Sequence, residues 1–382
     1  MKIGIDARVL GTSRALDRYT RNLITHLSAI KSKHKFVVFF NENVTFKDLG
    51  VSERDNILYI AMPATPTLLD HFTFERRVRK HKLSVLFHPD NKSFLFCKIP
   101  QITTLHDLTP QKFPTLVLSK DSLTFLRQRA YFYIQNEALK KNARIITVSK
   151  NTKKDALTFL KLEGEKIIPI YEGVESHFKP ESIKNINTSI NRYHLKKPYL
   201  FYVGGFGRHK NVSNIIKALD VLQNSFPNVS LVLGGKKDDS KSSGQNVYTD
   251  LADLVKKSNL SEKVVFTGYI KEADLPSLYS GAKVFIYPSK YEGFGFPPLE
   301  SMACGTPVVC SKSASLPEVC GKAVRYAQSV DEIADKVGRV LNNDSLQREL
   351  SEKGIIQAKK FSWRRCAKET LKVIESCSRS KL

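Results

Sequence analysis

Tyr287-Pro288-Ser289-Lys290-Tyr291-Glu292-Gly293-Phe294-Gly295-Phe296-Pro297-Pro298-Leu299-Glu300 is the densest signal in this 382-residue chain. An apolar strand, Lys283–Tyr287, runs into it, and the prolines at its far end are preorganised for the first turn of a helix. Gly293 and Gly295 let the backbone approach a ligand closely, and the helix N-terminus beyond them favours an anion. Glu292 falls on the loop and Glu300 in the first helical turns. Two carboxylates beside an anion site repel phosphate, but they suit the hydroxyls of a sugar and a ribose. On the residues alone, an ordinary strand-to-helix turn, with Glu300 favourable near the helix N-terminus, is an equal reading.

Outward from this stretch the same unit repeats. Strands are expected at Lys2–Asp6, Lys35–Phe40, Ile57–Ile60, Ser84–His88, Gln101–Thr104, Arg144–Val148 and Ile167–Ile170, with amphipathic segments such as Arg18–Ile30, Leu68–Lys80 and Leu123–Lys140 between them. A polar stretch, Glu175–Lys197, reads as a linker. Strands resume at Tyr199–Val203, Val229–Leu233, Val264–Thr267, Lys283–Tyr287, Thr306–Cys310 and Ala323–Tyr326, and helices close the chain. Unbroken apolar strands alternating with helices make parallel sheets covered on both faces. The fold class is therefore α/β, with two Rossmann-like domains whose ligands bind at the carboxyl ends of the strands, across a cleft.

Composition narrows the function classes. Apolar residues make up 41% and charged residues 26%, as in globular proteins. No apolar run reaches the ~18–20 residues of a membrane helix, and no secretory signal precedes the first strand. Six scattered cysteines without C-x-x-C argue against zinc and a disulfide framework, and fit a reducing compartment. The net charge of +24 is the outlier. It is split almost evenly, +13 over residues 1–190 and +11 over 191–382, whereas a nucleic-acid arm would concentrate it. One local cluster, Arg76, Arg77, Arg79, Lys80 and Lys82, reads either as a solvated face or as a patch for a phosphate-bearing surface. No G-x-G-x-x-G opens a helix after a strand, which disfavours a dinucleotide-dependent oxidoreductase.

Glu292 and Glu300 match the E-x7-E element of the retaining glycosyltransferases of family 4, and the chain resembles that family in order along nearly its whole length. The similar segments are His106-Asp107-Leu108-Thr109-Pro110, Thr147-Val148-Ser149, Tyr202-Val203-Gly204-Gly205, Phe266-Thr267-Gly268, Met302–Val309, Ser315–Val319 and Phe361-Ser362-Trp363. The resemblance implies the GT-B fold, with an acceptor domain over 1–180, a nucleotide-sugar domain over 181–360, and a helix over 361–382 returning to the first domain. It implies transfer of a hexosyl group, mannosyl as the first candidate, from a nucleotide diphosphate sugar to a hydroxyl of a glycan or lipid-linked acceptor, with retention. No cofactor and no metal are implied. Asp238-Asp239, the nearest approach to a D-x-D, lies in a Lys/Ser-rich loop.

By the same resemblance Glu292 serves the donor sugar and Glu300 the ribose. Lys210 and Arg208 serve the diphosphate, and His106 supports the sugar electrostatically from the first domain. Gly204, Gly205, Gly293, Phe294, Gly295 and Phe296 line the donor with backbone, and Ile270 lies against the base. The family's glycine turn after the first strand is replaced by Arg14-Ala15-Leu16-Asp17, where Arg14 substitutes a cation for amide contacts. His209 stands where arginine is common. The expected setting is cytoplasmic, peripheral on the inner membrane face through the Arg76–Lys82 cluster, in polysaccharide biosynthesis. The competing readings are a GT-B nucleotide-sugar epimerase and a non-catalytic basic Rossmann protein that binds nucleic acid.

Overall fold

The computed structural model describes all residues except 12–13, 52, 64–66, 115–120, 237–246 and 380–382. Two compact units divide the chain. The first contains Met1–Lys112, Asp121–Gly173 and Ser362–Leu382. The second contains Val174–Phe361 with, from the first half of the chain, Phe113 and Pro114.

The first unit is built on a seven-stranded sheet: β1 (Lys2–Asp6), β2 (Lys35–Asn41), β3 (Ile57–Met62), β4 (Val85–His88), β5 (Gln101–Leu105), β6 (Arg144–Thr147) and β7 (Ile167–Pro169). Their order is β3-β2-β1-β4-β5-β6-β7, with every pairing parallel. The helices used below are α1 (Arg14–Ser28), α2 (Thr67–Val78) and α3 (Ser122–Lys140). The second unit has a six-stranded parallel sheet: β8 (Tyr199–Val203), β9 (Ser230–Gly234), β10 (Val264–Gly268), β11 (Val284–Tyr287), β12 (Val308–Cys310) and β13 (Arg325–Tyr326). Its order is β10-β9-β8-β11-β12-β13. The central strands β1, β8 and β11 are almost wholly buried, which is why they read as continuous apolar runs rather than alternating ones.

Both orders reverse direction once, between β1 and β4 and between β8 and β11. At such a switch point the connections leave on opposite faces and open a crevice at the carboxyl ends of the strands. Two elements follow that bear on function: α4 (Phe296–Ala303) after β11, and α5 (Trp363–Arg379), which closes the chain as part of the first unit.

The stretch Glu175–Lys197, expected as a linker, contains a helix over Ile183–Arg192. Ser182 caps it by accepting from the Asn185 amide, and Ile186 and Ile190 bury one side. Isoleucines recurring at helical spacing outweigh the Ser and Asn content that suggests a loop. Asp238-Asp239 lies outside the described residues.

Candidate active site

The loops after β8 and β11 carry the residues expected at the donor, and the structure knits them together. The Lys290 amide donates to the His209 carbonyl at 2.7 Å, which ties the turn of Arg208–Lys210 to the Tyr287–Glu300 segment. Lys210 Nζ donates to Glu292 Oε1 at 2.7 Å and lies 3.4 Å from the Tyr287 hydroxyl. Burial disfavours the ionised Glu292 carboxyl, but the Lys210 charge and hydrogen bonds from Lys210, Ser289 and Tyr287 outweigh it and hold its pKa below the ordinary value. The pair is not sealed: 18% of the Lys210 side chain and 13% of the Glu292 side chain stay accessible. Burial and the nearby Glu292 charge push the Tyr287 and Tyr202 hydroxyls well up, so both stay protonated.

Gly295 is at φ +120°, a conformation L side chains rarely adopt, and a Cβ there would meet Leu316 at 2.7 Å. It delivers the chain into α4 with Pro297 and Pro298 at the helix start. The Ser315 hydroxyl holds the loop from behind by donating to the carbonyls of Glu292 and Phe294. Phe294 is buried and packs edge-on to Phe296 and Phe361. Glu300 is almost buried on α4 and accepts from the Tyr279 hydroxyl at 2.7 Å. At the end of β8 the Gly204 amide donates to the Gly234 carbonyl, while a Cβ on Gly205 would meet nothing within 4 Å. Ile270 is buried over Gly234 and leaves no room for a side chain there.

Arg208 does not join this pair. Its side chain is half exposed, and the carboxylate it approaches is Asp250, at 4.0 Å. The two cations expected at one diphosphate thus point apart on the turn they share, because residues two apart on a 3₁₀ segment of three residues per turn are about 120° apart.

His106 follows β5 in the first unit. Its Nδ1 lies 3.2 Å from Glu172 Oε1, and its Nε2 is 2.8 Å from the Pro89 carbonyl oxygen. Tyr19 packs edge-to-face on the ring at 4.6 Å. Burial opposes the imidazolium, but Glu172 and the Pro89 carbonyl favour it and raise the pKa above the ordinary histidine value. An acceptor stands at each nitrogen, an arrangement that fixes the ring and favours its protonated form. Glu172 is the residue that sequence reasoning missed. Its signal is an isolated acid two residues beyond the end of a strand, next to Gly173, where a Cβ would strike the Trp363 backbone.

A second group not foreseen sits at the switch point of the first sheet. Arg8 Nε and Nη2 donate to Asp6 at 2.7 and 2.8 Å, and Nη1 donates to Asp70 at 2.7 Å. The guanidinium lies 4.7 Å from the Phe74 ring centroid. Arg14 opens α1, but its side chain lies outside the described residues. Asp17 turns back on its own helix, pairing with Arg21 at 2.8 Å and accepting from the Gly11 amide. Among the described residues, no three His, Cys, Asp or Glu side chains come together as a metal site, and no helix is long and apolar enough to cross a membrane.

Two parallel-sheet Rossmann-like units are the α/β architecture of the GT-B glycosyltransferases. A model described as glycosyltransferase family 4 matches residues 16–178, and one described as glycosyl transferases group 1 matches residues 184–357. The O-antigen chain mannosyltransferase B of Escherichia coli is 30% identical over 281 residues, covering 71% of this chain and 68% of that protein. The O-antigen chain mannosyltransferase RfbU of Salmonella typhimurium is 31% identical over 233 residues, covering 61% of this chain and 58% of that one. The Anabaena protein HepE, in a crystal structure with UDP-glucose, superposes with a TM-score of 0.76 at 18% identity, covering 98% of this chain and all of the other. The chain belongs to the family 4, group 1 glycosyltransferases, and it is a glycosyltransferase.

Proposed function

We propose that this glycosyltransferase moves a mannosyl group from a nucleotide diphosphate sugar to a hydroxyl of a glycan or lipid-linked acceptor, with retention and without a metal. The observation that carries the reading is the Lys210–Glu292 pair at the carboxyl ends of β8 and β11. A single carboxylate kept ionised beside one partly accessible ammonium suits a ligand with hydroxyls on one side and a leaving phosphate on the other. The mannosyl assignment is supported by the names of the two enterobacterial relatives, and the nucleotide sugar by the ligand of the Anabaena structure.

In this reading Glu292 accepts hydrogen bonds from the sugar hydroxyls, and Glu300 from the ribose. Amides of Gly293–Phe296 and the backbone at Gly204 and Gly205 approach the sugar and diphosphate, and Ile270 forms an apolar wall for the base. As the bond from the anomeric carbon to the phosphate oxygen breaks, Lys210 stabilises the negative charge collecting on the diphosphate. The acceptor oxygen bonds to the same face, and its proton passes to the departing phosphate oxygen, so no protein base is required. His106, in its protonated form, supplies a positioned positive charge, which the acceptors at both its nitrogens favour. The setting is proposed to be cytoplasmic.

Incubation with a panel of nucleotide sugars tests the reading. GDP-mannose should release nucleotide diphosphate faster when a glycan acceptor is added, and the product should keep the donor's anomeric configuration by nuclear magnetic resonance. Inversion removes the retaining mechanism. Turnover of the donor without acceptor dependence favours an epimerase.

A further inference from the structure

Soluble proteins seldom expose contiguous apolar patches, so a stripe of them needs an occupant. On α2, Leu68 is 51% exposed, Leu69 53% and Phe72 68%. Phe72 does not turn inward but stacks on Phe96, itself 53% exposed, at 4.8 Å between ring centroids. Leu68, Phe72 and Arg76 are four residues apart and so share one face of the helix, and Arg79 and Lys80 extend that face beyond its end.

The polar border of this stripe is basic. Lys141 lies 5.8 Å from the Phe96 ring centroid, and its ammonium also reaches the Leu95 carbonyl. Arg77 is turned back to the buried Asp70 at 3.4 Å, and Arg79 reaches Glu75 at 3.5 Å. Among the described residues Arg76, Lys80 and Lys82 have no carboxylate within 4.0 Å. The neighbouring helix α3, joined to α2 by the contact of His71 with Gln135, presents a similar outer face: Leu123, Leu126 and Tyr133 are all more than half exposed, and Arg127 and Arg129 of the same helix are exposed as well.

We propose that α2, with Phe96 and the outer face of α3, is a monotopic docking surface for an anionic lipid bilayer. Leu68, Leu69, Phe72 and Phe96 enter the headgroup–acyl boundary, and Arg76, Lys80, Lys82 and Lys141 meet the lipid phosphates. Charge complementarity selects the occupant. A protein partner or second copy covering a basic rim needs acidic residues, whereas this chain carries an excess of 24 positive charges. A nucleic acid would use the basic residues but has no use for aliphatic Leu68 and Leu69, and the Phe72 face is already taken by Phe96. A lipid interface uses both sets at once. This docking does not rest on the sugar assignment.

Cosedimentation of the full chain with vesicles tests it. The protein should pellet with phosphatidylcholine vesicles containing phosphatidylglycerol and stay in solution with phosphatidylcholine alone. The Phe72→Ser/Phe96→Ser variant should lose at least about tenfold in partitioning, and the Arg76→Gln/Lys80→Gln/Lys82→Gln variant a similar factor with a shallower salt dependence. Both should melt cooperatively near the wild type and turn over donor with a water-soluble acceptor at the wild-type rate, which separates docking from catalysis. Failure to bind anionic vesicles overturns the proposal. So does binding that both variants keep, since it then comes from the diffuse charge. A concentration-dependent dimer broken by Phe72→Ser gives the face to a second copy instead.

Discussion

The two switch points share a topology but not a charge state. Between β1 and β4, Arg8 spends its guanidinium on Asp6 and Asp70, with 8% of its side chain exposed and 2% and 4% of theirs. Between β8 and β11, Lys210 and Glu292 form a single pair that solvent still reaches. A saturated buried network locks the strand ends against each other, and removing its central member leaves buried charges poorly compensated. A lone accessible pair can exchange its partner for a ligand at far smaller cost. The first arrangement has the character of scaffold, and the second is the one we propose to do the chemistry.

Four substitutions break or sharpen this contrast. Arg8→Met should have the largest effect, destabilising the fold by about 3–5 kcal/mol in denaturant unfolding, because the buried Asp6 and Asp70 lose the guanidinium they share and keep only the weaker contacts of His88 at 3.6 Å and Arg77 at 3.4 Å. Activity per folded molecule should change little. Lys210→Ala should lower turnover by about a hundredfold or more, the scale of losing one transition-state donor, with a much smaller change in unfolding. If instead it unfolds the protein while Arg8→Met does not, the assignment of the two switch points is reversed.

Glu172→Gln probes the first unit more finely. Glu172 raises the His106 pKa, so the charged ring, and the stability it gives, is fully present below the ordinary histidine value near 6.5 and is lost as pH rises through the folded value. Without the carboxylate, the high-pH limb of kcat/KM should move toward lower pH, with activity at low pH preserved. An unmoved limb would show that His106 charge is not used. Arg208→Ala should be the mildest, less than about threefold in turnover, since the side chain points to Asp250 rather than to the pair. A loss matching that of Lys210→Ala would place Arg208 at the diphosphate after all.

Much of the fold was legible because parallel strands advertise themselves. Each of the thirteen described strands begins and ends within two residues of its expected bounds, and most are apolar because both faces are covered, although β5 carries buried Gln101, Thr103 and Thr104. The helix Ile183–Arg192 was hidden because its exposed side carries Lys184, Asn185, Asn187 and Thr188, and a ten-residue helix shows few turns of its apolar stripe. At the site, Lys210 and Glu292 could each be named, but not their pairing. Eighty-two residues separate them, and only adjacency of β8 and β11 brings their loops together. Glu172 was illegible for the same reason: its partner His106 sits two strands away in the sheet. Arg208 and Lys210, two residues apart, are both expected at the diphosphate from the sequence, but which way each side chain points on the tight turn is not legible there.

Ligand protection of the second unit's pair is the most direct test of its role at the donor. Thermal unfolding of the wild type and of Glu292→Gln should be followed with and without GDP-mannose and the other nucleotide sugars. The account predicts that GDP-mannose raises the wild-type midpoint, by the mass action of a ligand bound only to the folded state. Glu292→Gln should lose most of that shift while keeping the shift given by the nucleotide diphosphate alone. Equal protection of both proteins, or no shift with any nucleotide sugar, would contradict it.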